Sequence, residues 1–253
     1  GALAAWFGWR AIFIVLGVLF IVIAALLGSE LRRNEPLRLD GDRSVTIANA
    51  LRRMAGLLLR PWARVILVVV AIECALSMGV LAYVAWDLQH RHGVSLALSG
   101  LWIVAYPAGG LLYATFSAPL VARLGEQGLA LAGGLLIGAG YLCLLLAPAA
   151  LVVLPGLLAV GIGFAMLHNT LQVNATQMAP EARGAAVSLF AFCLFTSQSA
   201  GIAVVGRVID ATGIWPAYLA AALGLPLLAL EFRRRLQHKA RAAEGSGTAT
   251  TSA

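Results

Sequence analysis

The sequence predicts an all-α, polytopic membrane protein with about seven transmembrane helices. Three observations carry that expectation. First, the 253 residues are 61% hydrophobic and only 11% charged, with a mean hydropathy of +0.90, whereas a soluble domain carries roughly 25% charged residues. Second, the apolar residues gather into runs close to the ~20 residues that cross a bilayer. Third, the runs lack the alternation of a membrane barrel. A backbone in lipid must then bond within its own segment, which a helix achieves.

The runs are Ala11–Leu27, Ala63–Trp86, Gly100–Val121, Leu129–Leu146, Leu151–Leu171, Ala185–Val205 and Trp215–Leu230. The first begins almost at the start of the chain. It is longer than a signal-peptide core, and a charged stretch follows it in place of a cleavage site. The chain start therefore reads as a cut through a longer protein. The linker that follows has two parts. SELRRNEPLRLDGDR is charged, contains Pro36 and Gly41, and reads as loop. In SVTIANALRRMAGLLLR, Ser44 is a candidate N-cap, and Ile47, Leu51, Met54, Leu57 and Leu58 recur at helical spacing. That stripe suits either a helix lying on the membrane surface or an extension of the next span.

Glycine and proline punctuate the later spans: Pro107, Gly109 and Gly110 in one, Pro155, Gly161 and Gly163 in another, Gly224 and Pro226 in the last. Small residues let membrane helices approach closely, and Gly134 and Gly138 form a GxxxG pair. Close packing is the plain reading; a gating bend is the alternative. Cys74, Cys143 and Cys193 fall in three different spans with no C-x-x-C, so neither a disulfide framework nor a metal site is expected. After Gln237 the tail ends in AAEGSGTATTSA, a composition with nothing to bury, and is expected to be disordered.

Charge orients the spans. If successive connections alternate sides, fifteen of the eighteen Lys and Arg residues fall on one side, and only Arg10, Arg91 and Arg207 on the other. The positive-inside rule places the richer side, with the linker and the C-terminus, in the cytoplasm. The same bias explains the net charge of +7. Anionic lipid headgroups account for it better than nucleic acid does, because no folded module is available to carry a recognition element.

The candidate site starts from one residue. Of eleven acids, ten lie in the linker, turns, tail or span ends, and only Glu73 is deep. Nine residues past Arg64, it sits roughly 14 Å into a core of about 30 Å. A charge there costs at least about 2.5–3.5 kcal/mol by insertion scales and marks ion or proton pathways. Ser77, Val80, Val84 and Asp87 continue its helical face, which is expected to look into the bundle or a water-filled cavity. The bland reading is a protonated Glu73 bonded to a neighbouring helix. No basic residue is visible deep in any span to pair with it. Tyr106, Tyr113, Thr115, Thr196, Ser197 and Gln198 are candidate cavity-lining groups, although such side chains more often bond backbone across helices. His168 reads as a residue near the cytoplasmic end of its span, structural or in a proton relay.

Three stretches resemble a known family. FGWRAIF (7–13) precedes a span, APLVARLGEQ (118–127) forms a short turn, and APEARGAAVSLF (179–190) leads into a span followed by GRVIDATG (206–213). Together they resemble the major facilitator superfamily, in its drug/proton antiporter-like branch. The resemblance implies helices six to twelve of a twelve-helix transporter. Residues 1–28 would hold the last helix of the N-terminal half, 29–62 the cytoplasmic linker, 63–232 a C-terminal six-helix half-bundle of two three-helix units, and 233–253 the tail. The family's turn motif has an Asp where this chain has Ala122. Arg123 and Gly125 in that turn, and Arg183 and Gly184 before the next span, are candidate conformational residues, with headgroup anchoring as the alternative for Arg123.

The function this implies is a proton-coupled secondary transporter in the bacterial inner membrane, exporting small amphipathic molecules by alternating access. Its partners would be that substrate, protons, the lipid bilayer and the N-terminal half, with Glu73 as coupling residue, no cofactor and no metal. An uptake permease for a sugar or other metabolite and a non-transporting truncated protein are the alternatives. A membrane enzyme finds no support, since the sequence offers no deep His–acid pair, nucleophile motif or metal-ligand cluster.

Overall fold

The structure, a computed structural model, describes residues 7–33 and 47–249. Every regular element among them is helical. The long helices are α1 (Trp9–Arg33), α3 (Pro61–Leu81), α6 (Ala105–Leu146), α7 (Val153–Gln177), α8 (Arg183–Thr212) and α9 (Trp215–Ala249). Short helices α2 (Ile47–Leu57), α4 (Val84–His92) and α5 (Leu96–Trp102) lie between them. The linker loop with Pro36 and Gly41, the Ser44 cap and the last four residues lie outside the described residues.

The third and fourth apolar runs share α6, which is broken at Gly125 with φ 61° and ψ −178°. A left-handed φ favours glycine, and the chain reverses at this point. Gly109 on the first arm and Gly140 on the second both meet α7, near Leu158 and near Gly156 respectively. The two arms thus form a hairpin against one helix, and the seven apolar runs remain seven segments. The linker's second part is a helix of its own. α2 is separated from α3 by a turn at Leu58–Arg60, and its Leu57 is buried.

Packing follows the small residues. A Cβ on Gly161 would stand 1.9 Å from Tyr106 O, and one on Gly109 2.4 Å from Leu158 O, so backbone touches backbone between α6 and α7. The GxxxG pair faces α9: a Cβ on Gly134 would meet Ala229 Cβ at 2.1 Å, and one on Gly138 would meet Pro226 Cγ at 2.4 Å. Between α3 and α8, Gly79 and Gly201 cross in the same way. With lipid as apolar as the side chains, this close fit holds the helices together.

Two regions depart from the bundle. None of the most apolar stretch of α1 is buried, and Phe13, Ile14, Phe20 and Ile21 are exposed along it. At the other end, α9 continues to Ala249, past Gln237 where the sequence suggested order would stop. The HKARAAE stretch consists mostly of good helix formers and prolongs the helix already begun in the membrane.

Candidate functional site

α3 carries Glu73 about 18 Å along its axis from Pro61, at 1.5 Å per residue. Its carboxylate is 0% exposed. Ser77, Val80 and Val84 of the same stripe are buried too, and so is Asp87. The stripe faces the interior of the bundle.

The facing helix supplies a partner that sequence reasoning did not assign. His168 Nδ1 of α7 lies 2.9 Å from Glu73 Oε2. α7 runs on to Gln177, so His168 is about 14 Å from the helix end and shares Glu73's depth. The imidazole is held by aromatic rings. It stacks on Phe164 at 4.8 Å between centroids and meets Phe190 of α8 at 5.6 Å. The absence of a deep basic partner, and of a deep His–acid pair, is therefore corrected: the chain has both in one contact.

The pair is incompletely bonded. Glu73 Oε1 and Ser77 Oγ, one helical turn apart, are buried and have no hydrogen-bond partner among the described residues. Buried polar atoms are normally satisfied, so an orphaned pair beside an acid calls for an explanation. The surrounding groups are otherwise engaged. The Ser77 carbonyl accepts from Tyr141 Oη at 2.6 Å. Tyr106 Oη donates to Met78 Sδ at 3.7 Å, and the Tyr106 ring tilts against Phe164 at 6.1 Å. Cys74 is buried beside Glu73, and the donor atoms of Glu73, Cys74 and His168 lie within 4.8 Å of one another. These donor types could hold an ion, a grouping the sequence did not reveal. The Glu73–His168 hydrogen bond already occupies two of the three donors.

The other expected site residues divide. Ser77 and Tyr106 join Glu73. Tyr113 is buried elsewhere, with Leu129 and Met166. Thr115 is exposed and bonds its own helix at Leu112 O, 2.7 Å away. On α8, Ser197 bonds Leu194 O at 3.0 Å, Thr196 is exposed and Gln198 half-buried. Arg123 is exposed, as are Arg183 and Gly184 at the start of α8, and Gly125 makes the reversal in α6.

Two further polar knots were not foreseen. Toward the far end of α3–α4, buried Asp87 accepts from Tyr218 Oη at 3.0 Å and pairs with Arg91 at 3.1 Å. Arg91 also donates to Leu144 O at 2.6 Å and Leu145 O at 3.1 Å. At the opposite end, Asn174 donates to Glu126, and Lys239 donates to Asn174 Oδ1 at 3.3 Å. That second knot joins the α6 reversal to α7 and α9.

Packed membrane-length helices around a buried acid–histidine contact define a helical membrane protein with a polar centre, the architecture of a secondary transporter. The sequence profile of the Major Facilitator Superfamily matches residues 1–202 and, in a second match, 66–249. The chain belongs to that superfamily, whose members are membrane transporters of small molecules rather than enzymes. No curated protein matches its sequence.

Proposed function

We propose that the chain is the C-terminal portion, helices six to twelve, of a proton-coupled exporter of small amphipathic molecules. It belongs to the drug/proton antiporter-like branch, and Glu73 is its coupling residue. The carrying observation is the buried Glu73–His168 contact between α3 and α7, with Glu73 Oε1 and Ser77 Oγ left open beside it. A carboxyl bonded to an imidazole has two protonation states that differ in charge and in hydrogen bonding across two helices. Moving a proton onto or off the pair therefore biases how those helices pack, the two-state element that alternating access requires. The titratable groups around it are Cys74, Tyr106 and Tyr141, none of which carries a competing positive charge.

The domain reading rests on α1, whose exposed apolar surface needs a membrane or a second half to cover it. The orientation, with linker and C-terminus cytoplasmic in a bacterial inner membrane, rests on the distribution of Lys and Arg. Labelling of single cysteines placed at positions 47–60 checks it; reaction with an impermeant reagent from outside intact cells reverses the orientation. Coupling is tested by pH-driven transport in vesicles containing the intact transporter with Glu73→Gln. Loss of pH-driven transport with normal insertion is expected, and full transport with an unchanged pH dependence sinks the proposal.

A further inference from the structure

A groove of about 690 Å³ runs between the start of α3 and the late part of α9. It is separate from the Glu73 site. Its walls change character along their length. Toward the helix ends, Arg64 of α3 and Arg235, His238 and Lys239 of α9 line it; deeper in, Val65, Val68, Ile72 and Leu228 form an apolar floor. Val68 and Ile72 are exposed there. From Arg64 to Ile72 the floor extends about 12 Å at helical rise, long enough for the first half of an acyl chain.

The positive charge at the mouth exceeds what the described residues neutralise. Glu231, the acid in the groove, is paired with Arg235 at 2.7 Å. Lys239 lies 4.4 Å over the Trp62 ring and donates to a neutral amide of Asn174, and it pairs directly with no acid among the described residues. Arg64 and His238 have no anionic partner among the described residues. Trp62, braced against Phe232 at 6.5 Å, lines the mouth, and indoles favour the headgroup level of a bilayer. Basic residues at span ends are common by the positive-inside rule alone. What distinguishes this site is a cleft between two helices that joins Arg64 and Lys239, unpaired with any acid among the described residues, to an apolar floor, as an anionic lipid requires.

We propose that this groove is a binding site for one anionic phospholipid, with the phosphate between Arg64 and Lys239 and an acyl chain along Val65, Val68 and Ile72. A bound lipid would brace the start of α3, the helix that carries Glu73, against α9. The test uses the purified full chain in detergent, titrated with phosphatidylglycerol or with phosphatidylcholine of identical chains and read by native mass spectrometry. Phosphatidylglycerol should bind more tightly by at least about fivefold, with the preference fading at high salt. Arg64→Gln, at a side chain with no anionic partner among the described residues, should cost about fivefold in phosphatidylglycerol affinity. Arg64→Lys should retain binding, and Arg207→Gln, on α8 outside the groove, should leave it unchanged. Equal binding of the two lipids, or an Arg64→Gln variant that binds phosphatidylglycerol like the parent, overturns the proposal. Binding of glycerol phosphate as tightly as the whole lipid overturns it too, since the apolar floor would then contribute nothing.

Discussion

Two buried acids on one helical stripe, Asp87 and Glu73, end up in opposite circumstances. Asp87 is met by Tyr218 and Arg91, and Arg91 in turn caps the carbonyls of Leu144 and Leu145 at the end of α6. Every strong partner is supplied from within the protein, and three segments are tied at one point. Among the described residues Glu73 has a single hydrogen-bond partner, His168, and keeps an oxygen open next to an open hydroxyl. A fully satisfied polar network fixes a structure, whereas a partly satisfied one costs stability unless something else makes use of it. The contrast separates two equally buried acids by how completely they are bonded among the described residues; under the proposed function, incomplete bonding at mid-depth and not burial alone marks the coupling acid.

The sharpest way to break the comparison is to remove each charge in turn. Glu73→Gln keeps size and hydrogen-bonding capacity, so the bundle should insert and melt much as before while pH-driven transport is abolished. Glu73→Asp, with a shorter reach toward His168, should retain part of it. Parallel losses of melting temperature and transport in Glu73→Gln would make Glu73 a structural acid like Asp87 and erase the distinction.

Asp87→Asn should do the reverse. It leaves Arg91, 33% exposed, without its anion, and breaking a buried pair from one side costs up to about 3–5 kcal/mol. Access of Arg91 to solvent reduces this to roughly 2–3 kcal/mol. The expected readout is a lower melting temperature in detergent, with an unaltered pH profile for whatever transport remains. The double variant Asp87→Asn/Arg91→Gln should recover part of the loss, because the orphaned charge is gone. A changed pH profile in Asp87→Asn would place proton coupling at this knot instead.

Much of this contrast was readable in the sequence, and the unread part has a physical reason. Apolar runs, the isolation of Glu73, the small residues at helix contacts and the glycine at the α6 reversal all follow from local chemistry. The partners do not. His168 is 95 residues from Glu73, and no periodicity links the rotational phase of α7 to that of α3. Its depth was misjudged because HNTLQVNATQ looks interfacial. In the structure, Thr170 and Asn174 turn their side chains back to Met166 O and Thr170 O. A polar-looking helical turn thereby satisfies itself and stays inside the bundle. Asp87 does lie toward a span end, but its burial was not legible, because Tyr218, its buried partner, comes from another helix. Tyr113 and Thr115, candidate cavity-lining groups, do not join Glu73: Tyr113 packs with Leu129 and Met166 and Thr115 bonds its own helix, again a matter of helical phase.

A smaller effect separates the two members of the central pair. His168→Gln can still bond Glu73 and fill the slot between Phe164 and Phe190, so stability should change by less than about 1 kcal/mol. Glutamine does not titrate, however. If the imidazole shares the proton with Glu73, the pH dependence of transport should move while the maximal rate falls only partly. A pH profile identical to the parent would assign His168 to positioning alone and leave Glu73 as the single proton carrier.

The smallest effect is expected where the same chemistry lies in water. Arg60 pairs with Glu181 across the start of α8 and donates to Met178 O at 3.3 Å. Both side chains are about half exposed or more. Solvent and salt screen such a pair, and holding two long side chains in place offsets much of the attraction. Glu181→Gln should leave the melting temperature within experimental scatter and transport unchanged, at both low and high salt. It is the control that gives the other variants their meaning: three acid contacts, one exposed, one buried and complete, one buried and incomplete, with only the last expected to couple to pH. A clear fall in transport for Glu181→Gln would show that the α7–α8 turn moves during the cycle and that exposure is a poor guide to which acids matter here.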